Sequence, residues 1–200
     1  MGDEQIMTAI KSLCVFCGSR FGASPAYEAA ARKLGEMMLE RHIRLVYGGG
    51  SIGLMGVVAD TVANGGGEVI GIIPKFLEEL EVGKTDVSEF IVTDNMHSRK
   101  HKMFDLSDGF VSLPGGLGTL DETFEIMTWK QLQIHAKPIV VMNVEGYWSG
   151  LQQLIEDTIN GGFAHEKARD LISIVETPEE VFDALDSAPQ PDREVLSSHL

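Results

Sequence analysis

Residues 109–122, GFVSLPGGLGTLDE, carry the pattern that identifies the class of fold. Its first part is a short apolar run typical of a buried strand, its middle is a glycine-rich turn, and its last part begins a helical pattern. A strand that passes through glycines directly into a helix is the repeating unit of parallel sheets. The stretch therefore predicts one strand–loop–helix unit of an α/β protein.

The same unit recurs along the chain on both sides of this stretch. Helical patterns separate the apolar runs that we interpret as strands, which lie at 13–16, 43–47, 68–73, 90–92, 109–113, 138–142 and 172–175. Such alternation predicts a parallel sheet with helices on both faces. We therefore predict one Rossmann-like, doubly wound α/β domain of about seven strands over residues 10–186, with flexible segments at 1–9 and 187–200.

The charge and the apolar content exclude some classes of protein. The formal net charge is -14, which argues against general nucleic-acid binding because that needs a positive face. A small anionic ligand is still allowed, since a few local donors are enough to bind it. No apolar run approaches the ~18 residues that a membrane helix needs, and the polar start lacks a signal-peptide pattern. We expect a cytoplasmic protein that binds neither nucleic acid nor membrane.

The two cysteines, Cys14 and Cys17, form a C-x-x-C pair inside an apolar run. A redox pair of this kind lies at the start of a helix, where the thiolate is stabilised. In a strand, residues three apart point to opposite faces. We therefore predict two buried, unreactive thiols and no disulfide.

Three of the predicted strands end in glycine, at 18, 48–50 and 115–118. Ligands of such sheets bind beyond the carboxyl ends of the strands. At 115–119 the glycines let main-chain N–H groups converge, and the helix that follows adds partial positive charge. The loop is not a Walker motif, so it predicts a site for a monophosphate.

The loop at 48–53 matches G-x-G-x-x-G, the pattern of dinucleotide-binding proteins. A nicotinamide enzyme also needs an acidic residue at the end of the next strand, to hold the ribose hydroxyls. That strand ends in Pro74 and Lys75. These glycines are equally explained by close packing of a helix on a strand, so a nicotinamide-dependent oxidoreductase is disfavoured.

Glu122 has two interpretations. With Thr119 it forms the T-x-x-E pattern of a capping box, in which it only caps its own helix. Alternatively, Glu122 and Glu125 share a helix face beside the phosphate loop while Asp121 points elsewhere. An acid in that position suits chemistry at the sugar carbon of a bound nucleotide.

Residues 96–102, MHSRKHK, place Arg99, Lys100 and Lys102 near the start of a predicted helix. The helix dipole disfavours cations there, which suggests a nearby anion, although a solvated basic face is the common alternative. His97 and His101 have the i, i+4 spacing of a metal pair, but no third ligand is indicated. We predict no metal and no cofactor.

Two of these segments together resemble a known family. Residues 114–122 match P-G-G-x-G-T-x-x-E and residues 96–100 match M-H-x-R-K. They resemble the Lonely Guy (LOG) family of cytokinin riboside 5'-monophosphate phosphoribohydrolases, formerly called lysine decarboxylase-like proteins. The resemblance runs from about residue 13 to 174. It includes the segments at 16–19, 47–50 and 128–129, and His135 as well.

The resemblance implies a Rossmann-like fold and a homodimer with sites near the subunit interface. It also implies cleavage of a nucleotide into free base and ribose 5-phosphate, with Arg99 and Glu122 as the catalytic residues. We predict that the matching positions bind the substrate: Gly18, Ser19, Gly49, Glu81, Met96, Lys100, Gly115, Gly116, Leu117, Gly118, Thr119 and Thr128. One departure is Gln133, where the resemblance leads us to expect glycine.

The expected partner is therefore a small nucleoside 5'-monophosphate, such as an N6-modified adenosine 5'-monophosphate. Two alternatives stay open at this point. The first alternative is a general nucleosidase that acts on AMP or other purine nucleotides. The second is a non-catalytic carrier of a nucleotide or cofactor on the same fold. The base pocket decides between the substrates, and the sequence does not display that pocket.

Overall fold

Seven parallel strands form the frame of the domain. They are β1 (Ser12–Phe16), β2 (Arg44–Tyr47), β3 (Val69–Pro74), β4 (Glu89–Thr93), β5 (Gly109–Ser112), β6 (Ile139–Met142) and β7 (Ser173–Val175). All six neighbouring pairs are parallel, in the order β4-β3-β2-β1-β5-β6-β7. The structure is a computed structural model that describes residues 10–78, 83 and 86–188.

The strand order confirms the predicted doubly wound sheet. From β1 the chain moves outward to β4, returns to the centre at β5, and then moves outward on the other side. The loops that follow β1 and β5 therefore leave neighbouring strands at the point where the winding reverses. In sheets of this kind that reversal point is where ligands bind.

Helices cover both faces of the sheet. They are α1 (Pro25–Glu40), α2 (Gly53–Asn64), α3 (Lys75–Glu78), α4 (Met96–Asp105), α5 (Leu117–Gln131), α6 (Ser149–Asn160) and α7 (Pro178–Ser187). One apolar core joins the sheet to α1, α2 and α7, and a second joins it to α4, α5 and α6. In the described part of the chain, no helix is both long and apolar enough to cross a bilayer.

The two cysteines behave as predicted. Both are buried and unpaired, and they belong to different cores because Cys14 and Cys17 point to opposite faces of the sheet. Burial raises the pKa of each thiol, and the nearby negative charge of Glu122 raises it further. The prediction of two buried thiols without a disulfide is confirmed, and their lack of reactivity stays a prediction.

The main difference from the predicted elements is the end of α5. The sequence predicts a helix that runs from the glycine turn to about His135, but the helix ends at Gln131, four residues earlier. Gln133 takes a left-handed conformation with φ of 59°. Its N–H donates to the carbonyl of Lys130 (3.0 Å), and the N–H of Ile134 donates to that of Trp129 (2.9 Å). These two bonds form a Schellman motif, which ends a helix.

Residues 75–88 are acidic and without a regular pattern, so the sequence predicts a long loop there. In the structure this segment begins with the short helix α3, and Gly83 forms an isolated antiparallel bridge with Gly50. Glu81 lies outside the described residues, as do the segments 1–9 and 189–200. The predictions of flexible ends and of a binding role for Glu81 therefore stay predictions.

Candidate active site

The loops after β1 and β5 are in direct contact at the reversal point. The N–H of Gly18 donates to the carbonyl of Pro114 (3.0 Å), and a Cβ on Gly18 would lie 3.4 Å from the Cα of Gly115. A cavity of about 580 Å³ lies beside this contact, and its lining includes Ser19 and Gly116. Ligand sites of small molecules have this size, so the fold brings two of the predicted glycine segments to one crevice.

The start of α2, after the G-x-G-x-x-G segment, is already occupied by the protein itself. The carbonyl of Gly18 accepts hydrogen bonds from the N–H groups of Leu54 (3.0 Å) and Met55 (3.3 Å) in the first turn of α2. Gly53 has φ of +67°, and a Cβ there would lie 2.3 Å from the main-chain nitrogen of Arg20. A dinucleotide pyrophosphate needs those N–H groups. The glycines of this loop therefore serve close packing.

The start of α5 is arranged differently. Its N-cap is Gly116, which has no side chain to cap the first turn. Because a helix N-terminus presents unpaired N–H groups and partial positive charge, this end of the 15-residue helix attracts an anion. The predicted capping box is wrong, since Thr119 is the third residue of the helix and not its cap. Glu122 lies one turn further along.

Glu122 points into the protein. Only 9% of the residue is exposed. Its charge is close enough to raise the pKa of the Cys14 and Cys17 thiols beyond the effect of their burial, whereas the charge of Arg99 lowers that of Cys14. The carboxylate of Glu122 and the guanidinium of Arg99 therefore both lie within electrostatic range of the carboxyl half of β1.

Arg99 is buried, with 4% of the residue exposed. Its Nε donates to the carbonyl of Ile72 (3.0 Å) and its Nη2 to that of Gly48 (2.6 Å). Its Nη1 lies 3.9 Å from the sulfur of Met96. The carbonyls belong to the carboxyl ends of β3 and β2, so main-chain acceptors hold this cation at the ligand-binding edge of the sheet.

Lys100 bridges α4 and α5. Its Nζ lies 3.1 Å from Oδ2 of Asp121 and 3.0 Å from Oε1 of Glu125, and 11% of its side chain is exposed. Burial lowers the pKa of Lys100, but the hydrogen bonds to Glu125 and Asp121 outweigh it and raise that pKa overall. The sequence predicts that Glu125 shares its helix face with Glu122 and not with Asp121. In the structure Glu125 and Asp121 are instead the two carboxylates that lie beside Lys100.

The start of α4 carries its own cap. The side chain of Asn95 accepts from the N–H of Ser98 (2.9 Å), and the Ser98 hydroxyl accepts from the N–H of Asn95 (3.2 Å).

The histidines of α4 form no metal site in the described residues. The ring of His101 packs against Phe104 and Trp129. Among residues 10–78, 83 and 86–188, no group of three or more His, Cys, Asp or Glu side chains is placed to hold a metal ion.

Two further predicted residues lie away from the start of α5. Gly49, with φ of +78°, packs against β3, where a Cβ would lie 3.1 Å from that of Ile73. Thr128 is exposed on α5, and its hydroxyl donates to the carbonyl of Phe124 (2.8 Å). Nine residues separate it from Thr119, which is about 13 Å along the helix axis. The fold of one chain does not bring Thr128 to the crevice.

Two residues at the site do not belong to the predicted set of substrate-binding residues. Gly48 leaves room for the guanidinium of Arg99, since a Cβ there would lie 2.3 Å from Nη2. Tyr147 donates from its hydroxyl to the carbonyl of Gly115 (2.5 Å). Both follow the carboxyl end of a strand, β2 or β6, which is the region where ligands of parallel sheets bind.

Solved structures with the same architecture include two proteins of molybdenum-cofactor biology. The molybdenum cofactor binding protein from Rippkaea orientalis has a TM-score of 0.67 at 22% identity, covering 90% of this chain and 98% of that one. The molybdenum cofactor carrier protein from Chlamydomonas reinhardtii has a TM-score of 0.65 at 19% identity, covering 93% and 98%. At these identities the likeness shows the fold.

Sequence comparison gives the family. A family model described as "Possible lysine decarboxylase" matches residues 55–185. A cytokinin riboside 5'-monophosphate phosphoribohydrolase of Arabidopsis thaliana is 47% identical over 168 residues, 84% of this chain and 79% of that protein. A protein of Oryza sativa subsp. japonica with the same name, preceded by "probable", is 43% identical over 191 residues, which cover 95% of this chain and 78% of that protein. The chain therefore belongs to the LOG family of cytokinin riboside 5'-monophosphate phosphoribohydrolases.

Proposed function

We propose that this protein hydrolyses the N-glycosidic bond of an N6-modified adenosine 5'-monophosphate and releases the free base and ribose 5-phosphate. The observation that carries the proposal is the arrangement along α5. The helix starts at a glycine turn without a side-chain cap, and one turn further it holds the buried carboxylate of Glu122. One rigid element thus offers an anion site and an acid.

The separation of these two features suits a sugar phosphate. Glu122 lies five residues after Leu117, about 7 Å along the helix axis, and helical side chains lean back toward the N-terminus. A 5'-phosphate bound by the first N–H groups of α5 would therefore place its ribose near this carboxylate. Binding energy from the phosphate, which does not react, then supports chemistry at the sugar.

Glu122 and Arg99 have complementary roles in this mechanism. Loss of the base leaves an oxocarbenium-like sugar. A carboxylate beside the anomeric carbon stabilises that cation and orients the water that attacks it. Arg99, held by the carbonyls of Ile72 and Gly48, would favour the ionised form of the carboxylate or bind the ribose hydroxyls or the phosphate.

The names of the relatives support the choice of base. They are called cytokinin riboside 5'-monophosphate phosphoribohydrolases, and cytokinin activation is the role we propose for this protein. The remaining residues of the predicted binding set, Glu81 included, are part of the same proposal.

We also propose a cytoplasmic homodimer with its sites near the interface. Thr128, which the single chain leaves exposed on α5, would then complete the crevice of a second copy. The residues beyond the end of α5 offer apolar surface for such a contact, because Leu132 is 52% and Ile134 60% exposed. Light scattering after gel filtration tests the dimer.

The test of the proposed function is a comparison of substrates. The purified protein is incubated with N6-isopentenyl-AMP, AMP, GMP and the two adenine nucleosides without phosphate, and the released base and ribose 5-phosphate are quantified. We expect the modified nucleotide to be cleaved fastest. Equal rates on AMP would identify a general nucleosidase, and binding without cleavage would identify a carrier. Equal cleavage of the unphosphorylated nucleosides would refute the phosphate site.

A further inference from the structure

Tyr147 contacts the glycine turn that starts α5 from a separate element. It lies between β6 and α6, and its hydroxyl donates to the carbonyl of Gly115 (2.5 Å). Neither the sequence motifs nor the catalytic pair of the proposed function assigns a role to this residue.

Two neighbouring rings and a tight turn restrict the Tyr147 ring, although 41% of the residue is exposed. The turn before it holds two residues in the left-handed region, Glu145 (φ 52°) and Gly146 (φ 74°). The ring makes edge contacts with Tyr27, at 5.4 Å between centroids, and with Trp148, at 4.8 Å. The hydroxyl is therefore presented by a packed aromatic group and a tight turn, and not by a freely rotating side chain.

The hydrogen bond orients the peptide plane between Gly115 and Gly116. Because a trans peptide is planar, the carbonyl of Gly115 and the N–H of Gly116 point in opposite directions. Gly115 packs closely on the side chain of Thr119, whereas a Cβ on Gly116 would meet nothing beyond the adjoining chain, so the Gly116 end of this plane is the less restricted one. Anchoring the Gly115 carbonyl therefore sets the direction of the Gly116 N–H.

The preceding peptide plane is anchored in the same way. The carbonyl of Pro114 accepts from the N–H of Gly18 (3.0 Å), and this sets the direction of the Gly115 N–H. Two successive carbonyls at the entrance to α5 are thus held from two other loops. In each plane the bound carbonyl oxygen points toward its donor, Gly18 or Tyr147. The N–H groups of Gly115 and Gly116 therefore point in the opposite direction.

We propose that Tyr147 is a positioning residue that aims the N–H of Gly116, and with it the first turn of α5, at the 5'-phosphate of the substrate. The inference rests on the proposed function, because it assigns that phosphate to the start of α5. Tyr147 acts through the main chain of the glycine turn. Its removal should weaken recognition of the phosphate and leave the chemistry at the sugar largely intact.

The test is Tyr147→Phe, which keeps the ring contacts and removes the hydroxyl. A lost hydrogen bond of ordinary strength corresponds to roughly a three- to tenfold loss of affinity. We expect KM for the nucleotide, and Kd for ribose 5-phosphate measured by calorimetry, to rise by that factor. Turnover number should stay within about twofold, because the group removed lies outside the reacting centre. The melting temperature should stay close to that of the wild type.

The matched control is Tyr47→Phe, which deletes the same atom from a tyrosine that is buried in the core. It leaves the hydroxyl of Tyr147 and the lining of the cavity unchanged, so Kd for ribose 5-phosphate should match the wild-type value. A second variant, Tyr147→Leu, also removes the ring. It should weaken ribose 5-phosphate binding at least as much as Tyr147→Phe does.

The binding measurement separates this inference from the proposed function. If the wild type binds ribose 5-phosphate but cleaves no nucleotide, the proposed function fails and the ratio of the Kd values still decides the role of Tyr147. An unchanged Kd in Tyr147→Phe would overturn the inference. So would a loss of turnover number with no change in KM, or a wild type that binds no ribose 5-phosphate.

Discussion

The guanidinium group of Arg99 fills the space in which a side chain at residue 48 would lie. A Cβ built on Gly48 would stand 2.3 Å from Nη2 of Arg99, and the same nitrogen donates to the Gly48 carbonyl at 2.6 Å. Gly48 does not belong to the glycines with positive φ. The absence of a side chain at this position is therefore explained by the arginine and not by the backbone.

Gly48→Ala should therefore displace the guanidinium of Arg99 without changing Arg99 itself. The group that the methyl meets is the end of a flexible side chain, so we expect the protein to fold while the guanidinium leaves its carbonyl acceptors. A misplacement of about 1 Å costs up to about 100-fold in rate, and we expect kcat to fall between about tenfold and that value. The measurement is steady-state kinetics together with a melting curve.

The control for this variant is Gly150→Ala. No atom lies within 4 Å of the corresponding Cβ position on α6, so both kcat and stability should be at least wild-type. Wild-type turnover in Gly48→Ala would mean that the observed position of Arg99 is not needed for catalysis.

Glu122→Gln tests the acid assigned to the sugar. The two side chains have nearly the same shape, so the buried position on α5 should still be filled and the protein should fold. Loss of the negative charge should lower kcat by about 100-fold or more, with ribose 5-phosphate affinity kept within a few-fold. Turnover equal to that of the wild type would remove Glu122 from the mechanism.

The fold was accessible from the sequence because its signal is local and repeated. Each strand is a short apolar run bounded by a glycine or a polar turn, and the regular alternation with helices leaves few other topologies. The end of α5 was predicted four residues late, since a non-glycine residue in the left-handed region stops the helix. Glutamine itself carries no signal for that conformation, and only the glycine that the resemblance leads us to expect at position 133 points to a helix end there.

The candidate site was only partly accessible. Arg99, Glu122 and the glycine turn at 115–118 lie at strand ends or just inside the helices that follow them, where a positional rule applies. The partner of Lys100 depends on how α4 packs on α5, and the hydrogen bond from Tyr147 joins loops 32 residues apart. Such tertiary contacts cannot be deduced from spacing along one chain.

The bridge from Lys100 to two carboxylates predicts unequal effects of their removal. Glu125 is the more buried acid, with 22% of its side chain exposed against 58% for Asp121. Exposed ion pairs contribute only about 0–1 kcal/mol to the free energy of unfolding. We expect Glu125→Gln to lower the free energy of unfolding by about 1 kcal/mol and Asp121→Asn by clearly less. Urea denaturation measures both, and equal effects would contradict the geometry.

Lys130 predicts a pH-dependent stability. The residue is 1% exposed, and burial lowers its pKa from 10.5 to about 8, opposed by the charge of Asp170. Between these two values the unfolded chain binds more protons than the folded one, so stability rises with pH in that window. Below about pH 8 the folded protein carries the full cost of the buried charge.

Lys130→Met keeps the length of the side chain and removes the charge. At pH 7 the variant should therefore be more stable than the wild type, by up to about 3 kcal/mol. The difference should shrink as pH rises toward 10.5. Denaturation curves at pH 7 and pH 10 test this, and a variant that is less stable at pH 7 would show that the ammonium group contributes to the fold.

Gln133→Gly should stabilise the protein. Gln133 has φ of 59° and lies directly after the C-cap of α5, where glycine is the preferred residue because it has no Cβ to clash. A left-handed residue with a side chain costs roughly 1–2 kcal/mol, and part of that gain is offset because glycine has more freedom in the unfolded chain. We expect the free energy of unfolding to rise by about 0.5–1 kcal/mol. Gln131→Gly, inside the same helix end, is the matched control and should instead lower it by about 0.5–1 kcal/mol. If both variants were destabilised, the conformation of residue 133 would not be what ends this helix.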